Sequence, residues 1–422
     1  MIKKQNKRQR DESGVVLQVN LVSVIVFSVA LVVAAVLVTY TFAKQKHPQV
    51  VAAMEADPTG GPAPTVTPAW GELSVRDIRL KPPEEYVAFE LQRLTRPSWN
   101  FYGTSVDHVR QVMLSAGLTE AQVGRALEAS KVSCSASSTT VYPDGDLIEA
   151  LAPATRAKLY HELGRTLGNE HMLFPFSYTG NDFSEVFGAE KVSPESTALV
   201  KKLMYPRGDL QCFSDYEYVL QKAPNKDEKL RLINAFASES ALMAGIRVRP
   251  DTDIDKLLGY WAWPGGVRAK DVEPLLDSLK DVPDGRVGLV YLLPQFARQR
   301  LYTFPMPSQP GDTAMDCHWS TMNFFNEVPD DRFANPAYTV RFLQENYYSI
   351  AGPSKFGDII MFMDGSGGNA IHSAVYLADD IVFTKNGNNM AKPWMLMHLK
   401  DVIAKYESDG PPHLLFYRNR KW

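Results

Sequence analysis

Residues 357–387 read GDIIMFMDGSGGNAIHSAVYLADDIVFTKNG. The runs GDIIMFMDG, HSAVYLAD and DIVFTKNG are short, apolar and partly β-branched, and Gly, Asp and Asn punctuate them, which is the texture of strands joined by turns. HLLFYRN, starting at His413, makes a fourth strand. Upstream, DTAMDCHWSTMNFFNEV at 312–328 reads as a helix entered just before Cys317. Residues 301–422 therefore read as one helix presenting a cysteine, followed by an antiparallel sheet.

Cys317 sits in AMDCHWSTMNFF, where Met322, Phe324 and Phe325 can face a core while the cysteine occupies the first helical turn. Unpaired backbone N–H groups there favour a thiolate, the nucleophilic form of the side chain. The competing reading is a small buried hydrophobe. His372 opens the strand HSAVYLA, directly after GDIIMF and the loop DGSGGN, where a base at a sheet edge can take the thiol proton.

A third polar group must hold the imidazole in its useful tautomer. Side chains alternate along a strand, so His372, Ala374 and Tyr376 share one face. A three-residue loop at 378–380 brings Thr384 and Asn386 to that face, and a two-residue turn at Asp379 and Asp380 puts them on the other. Asn386 is the expected partner, through its carboxamide oxygen, with Thr384 as the alternative.

In this order the motifs resemble the NlpC-like cysteine peptidases. There the usual sequence is D-C-S-G at a helix start, then G-D-L-V-F-F, then H-V-G-I-Y-L-G-[DN]-G. The resemblance covers about residues 301–419 and implies a papain-like fold and cleavage of peptide or amide bonds in bacterial cell-wall stem peptides. It makes Cys317 the nucleophile, His372 the base, Asn386 or Thr384 the third polar residue, and Tyr302 the hydroxyl near the reacting carbonyl. The thiolate would attack an amide carbonyl, the Cys317 N–H and Tyr302 would steady the oxyanion, and His372 would protonate the leaving amine. That chemistry calls for no cofactor and no metal. His318 and Trp319 stand where the family has Ser-Gly, and such bulk would reshape the substrate groove.

Residues 73–300 are mostly helical in pattern, as in VDHVRQVMLSAG, LTEAQVGRALEAS with Thr119 as N-cap, and DEKLRLINAFASESALMAG. An all-helical middle domain is expected. Residues 44–72 are rich in Pro, Ala, Thr and Gly and read as a linker. The run 15–43 is almost wholly apolar, uncharged from Asn20 to Phe42, and long enough as a helix to cross ~30 Å of hydrocarbon. Lys3, Lys4, Lys7, Arg8 and Arg10 precede it within the basic tail 1–14, so the N-terminus is expected in the cytosol and the rest outside it. The expected architecture is thus α+β: one N-terminal transmembrane helix, a mostly helical middle domain, and a C-terminal papain-like domain of NlpC type with an antiparallel sheet. The expected setting is a bacterial cell envelope, with the membrane and a cell-wall peptide as partners. A catalytically silent envelope scaffold or sensor is the rival.

The 422 residues carry a net charge of −3 with no extended basic stripe, so nothing supplies the counter-charge that nucleic acid demands. The three cysteines, Cys134, Cys212 and Cys317, form no CxxC pair, which removes the ligands of a zinc cluster. Outside the cytosol Cys134 and Cys212 could be bridged or remain two inert thiols. HELGRTLGNEH, from His161 to His171, overlays a zinc-protease pattern except that Arg165 stands for the second histidine, and a guanidinium has no lone pair to give. DGSGG around Ser366 reads as a hairpin loop. YWAWPGG, with Trp261 and Trp263, reads as helix packing beside a Pro-Gly break.

Overall fold

The computed structural model describes residues 68–422, apart from 104, 167, 179–181, 263–266, 306–314, 366, 388 and 408–409. The segments 1–14 and 15–43, most of the linker, Trp263 and Ser366 lie outside the described residues. Fifteen strands are described. They are β1 (Glu72–Leu80), β2 (Trp99–Tyr102), β3 (Val132–Cys134), β4 (Ser138–Val141), β5 (Phe176–Tyr178), β6 (Tyr205–Arg207), β7 (Leu210–Phe213), β8 (Glu239–Arg247), β9 (Arg286–Gly288), β10 (Tyr347–Ile350), β11 (Ile359–Met363), β12 (Ala370–Ala378), β13 (Ile381–Lys385), β14 (Trp394–His398) and β15 (His413–Asn419).

They form three three-stranded sheets, ordered β1-β8-β9, β2-β4-β3 and β5-β7-β6, and one six-stranded sheet, β10-β15-β11-β12-β13-β14. Every pairing within these sheets is antiparallel.

This corrects the expected architecture. The stretch 73–300 is mixed rather than all-helical, and no helix among the described residues is long and apolar enough to cross a membrane. The segment ESALMAGIR shows why the periodicity misled. Read on from KDEKLRLINAFA it continues a helix, since Ala, Leu and Met favour one and no β-branched residue occurs before Ile246. Instead the helix Lys226–Ala237 stops and β8 follows at once. Pairing with β1 on one side and β9 on the other overrides the local preference.

Val66–Trp422 forms one compact unit, and one of its three apolar core clusters runs across residue 300. Leu242, Ile246, Trp261 and Phe296 pack in the same cluster as Trp319, Phe324, Val375 and Phe383. The helix Cys317–Met322 lies on β12 and β13 because Trp319 and Met322 bury themselves in that cluster. The other sheet face, with His372, Ala374 and Thr384 on it, packs Val382, Met395 and Phe362 against the helix Leu399–Tyr406. The Trp261 indole is buried and donates to Trp70 O at 3.0 Å, so it packs the core.

Candidate active site

Asp316 starts the cysteine helix. Its carboxylate accepts from the Trp319 N–H at 2.8 Å, an N-cap that fixes Cys317 as the first helical residue. Two further bonds seat the helix: Ser320 Oγ donates to Asp316 O at 2.6 Å and accepts from the Trp394 indole at 2.8 Å. Cys317 is 6 % exposed.

His372 is fully buried. Its ring stacks on Tyr406 at 4.1 Å and 15° and meets the Phe362 ring at 5.1 Å. Nε2 and Thr384 Oγ share a hydrogen bond of 2.8 Å. Nδ1 has no hydrogen bond of normal geometry. Burial pushes the imidazole below its ordinary pKa, and Cys317, through the charge of its thiolate form and as a neighbour within bonding reach, pulls it back up. The sulfur and the ring are therefore adjacent, with the ring neutral and one nitrogen uncommitted, which is the state a base needs.

Thr384 reaches this face through a bulge. The turn at Asp379 and Asp380 has two residues, with Ala378 opposite Ile381, and Asp379 takes φ 56°. That turn alone would send Thr384 to the wrong side. The register shifts between Tyr376 and Ala378, so that Tyr376 lies opposite Val382, and the extra residue restores the alternation of a three-residue loop.

Asn386 is buried nearby but turned away. Its Nδ2 donates to Met397 Sδ at 3.2 Å and its Oδ1 has no partner. The imidazole is thus held by the alternative residue, Thr384, and not by Asn386. Tyr302 is also placed elsewhere: its hydroxyl donates to Leu242 O of β8 at 2.7 Å and is committed there.

Three further side chains lie beside the pair; His318 entered the sequence reading only for its bulk, and Tyr406 and Lys385 escaped it. His318 Nδ1 shares a 2.9 Å bond with Ser373 Oγ, and burial lowers its pKa against the pull of Asp316. Tyr406 supplies the stacking plane. Lys385 is fully buried, and its Nζ donates to Gly387 O at 2.7 Å and to Asn389 O at 3.4 Å. The signal for Lys385 was in the sequence: by alternation it shares the face of Ile381 and Phe383, a cation at a core position.

Cys134 is exposed, Cys212 is buried, and the two are unbridged. His161 Nε2 lies 3.1 Å from Arg165 Nη2. No group of three His, Cys, Asp or Glu among the described residues is disposed to hold a metal ion. Among the described residues, one cavity of about 970 Å3 runs along His108, His161, Leu173 and Arg207, away from Cys317 and His372.

Set beside family models, curated proteins and solved structures, the chain matches none of them.

Proposed function

We propose that the chain is a cysteine hydrolase of peptide or amide bonds, with Cys317 as nucleophile and His372 as base. One observation carries this reading. A buried, neutral imidazole is anchored through Nε2 to Thr384 and leaves Nδ1 unbonded beside a thiol at a capped helix start.

Nδ1 takes the proton from Cys317 Sγ, and the ring, now holding protons on both nitrogens, donates from Nε2 to Thr384 Oγ. The thiolate adds to the amide carbonyl, and the N–H of Cys317, which has no intrahelical acceptor at this position, faces the developing oxyanion. His372 returns its proton from Nδ1 to the leaving amine, which leaves a thioester. Water, deprotonated by the same nitrogen, then releases the acid and restores the thiol.

The order D-C, G-D-I-I-M-F, H-S-A-V-Y-L-A-D-D, similar to that of NlpC-like peptidases, supports cell-wall stem peptides as the substrate class. The basic tail followed by the uncharged run 20–42 supports a place at the cell envelope. In the test, purified protein is incubated with muropeptides and the products are resolved by mass. Cys317→Ala is expected to abolish cleavage and leave the unfolding transition unchanged. Cleavage that survives the substitution removes Cys317 from the mechanism.

A second reading is a catalytically silent binding module. It is favoured by the 6 % exposure of Cys317. A thiol-reactive probe separates the two: selective labelling of Cys317 near neutral pH supports the hydrolase, and no labelling supports the silent module.

A further inference from the structure

Lys385 is an expensive residue. A fully buried ammonium must find compensating partners or lose its proton. Its two direct hydrogen bonds are to the neutral carbonyls of Gly387 and Asn389. Among the described residues no carboxylate lies within ion-pair distance of it. Yet the amine is fixed rather than loose. It stands 5.6 Å from the centre of the Trp394 ring, and that indole is bonded to Ser320 of the cysteine helix. Strand, indole and helix thus hold a cation against the first turn of Cys317–Met322.

Among the described residues, Lys385 is the lysine whose charge is not already matched by a carboxylate beside this site, since Lys405, which also acts on His372, is paired with Glu239. On the helix of the thiol lie Asp316, an anion engaged in the N-cap, and His318, bonded to Ser373. From β12 comes the neutral ring of His372, and from the helix Leu399–Tyr406 comes the un-ionised phenol of Tyr406. From β13 comes Lys385.

We propose that Lys385 is the counter-cation of the Cys317 thiolate, a positioning residue that acts on the nucleophile through its charge. This rests on the reading of Cys317 as the nucleophile. The proton of Sγ passes to His372 Nδ1, Lys385 keeps its own three, and the resulting thiolate faces an ammonium across the sheet end. The interaction is mutual. Burial draws the Lys385 ammonium down to about 7, and the charge of Cys317 is the largest influence resisting that fall, ahead of Asp316, while Lys392 adds to it.

The experiment reads thiol ionisation without substrate: the rate of iodoacetamide alkylation of Cys317, followed by peptide mass spectrometry from pH 5 to 10, in wild type and Lys385→Met. Removal of the cation is expected to slow alkylation at pH 7 by about tenfold or more and to restore it as pH approaches 9. A role limited to tying Gly387 and Asn389 would lower the unfolding temperature and leave the alkylation profile in place, and that result overturns the proposal. If wild-type Cys317 reacts no faster at pH 7 than it does in the unfolded chain, the nucleophile itself is misassigned, a separate failure. Should Lys385→Met not fold, the reciprocal measurement decides: NMR titration of labelled lysine in Cys317→Ser is expected to move the Lys385 transition to lower pH. Superimposable curves for wild type and Cys317→Ser would overturn the proposal equally.

Discussion

At Thr384 a neutral hydroxyl stands where the proposed chemistry would place the carboxylate or carboxamide of better-known triads. It holds Nε2 and so leaves Nδ1 for the sulfur. Because the hydroxyl carries no charge, it orients the imidazole without strongly stabilising the imidazolium. Thr384→Val keeps the shape and removes the bond. Its kcat/KM is expected to fall on the order of a hundredfold, the low end of what a positioned general base contributes. Asn386→Ala is the contrast. Its Oδ1 is already unbonded and its Nδ2 meets only a thioether. Stability should stay within about 1 kcal/mol of wild type, and kcat/KM within about tenfold. Steady-state kinetics of the two variants check the assignment, and a larger loss at Asn386 than at Thr384 would reverse it.

Among the elements, the cysteine helix is six residues long and owes its start to one cap. Asp316→Ala removes the acceptor of the Trp319 N–H, which typically costs about 1 kcal/mol, measurable by urea denaturation. An unchanged midpoint would mean that Trp319 and Met322 alone seat the helix. The same element was legible in the sequence, as were β11, β12, β13 and β15, because alternation and Gly, Asp and Asn punctuation coincide there. Cys317 and His372 could therefore be paired across 55 residues of chain. The holder of the imidazole could not be fixed, since the bulge at Tyr376–Ala378 and the two-residue turn cancel in parity and neither has a side-chain signature. Nor could the small sheets be read: β3, β5 and β6 have three residues each, too short for alternation to stand out from a loop. Lys385 was visible as a misplaced charge, but only the fold shows that its amine is held by the Gly387 and Asn389 carbonyls beside the Trp394 ring.

In the whole molecule, one buried carboxylate ties distant chain segments together. Glu239, at the head of β8, pairs with Lys392 and, at 2.8 Å, with Lys405, which lie 153 and 166 residues further along. Burial opposes its charge, but the two lysines prevail and hold it at about 2. The same burial is the largest influence on Lys392 and lowers its pKa. With two cations sharing one anion, the carboxylate is the firmly ionised member. A depressed acid contributes stability above its unfolded value, near 4.5, and that contribution is lost as pH falls toward about 2. Across that interval wild type should therefore lose on the order of 3 kcal/mol more than Glu239→Gln, in which only the other depressed carboxylates, such as Asp144, still titrate. At pH 7 the same variant leaves two partly exposed ammonium groups without their anion, at a cost of about 1–3 kcal/mol. Lys405 precedes Tyr406, whose ring stacks on His372, so loosening this junction should also disturb the site. Urea denaturation of both proteins at pH 3, 5 and 7, with kcat/KM taken at pH 7, tests both effects. Parallel stability curves would show that Glu239 is not ionised in the folded chain. Lost stability with full activity would show that the junction and the imidazole are independent.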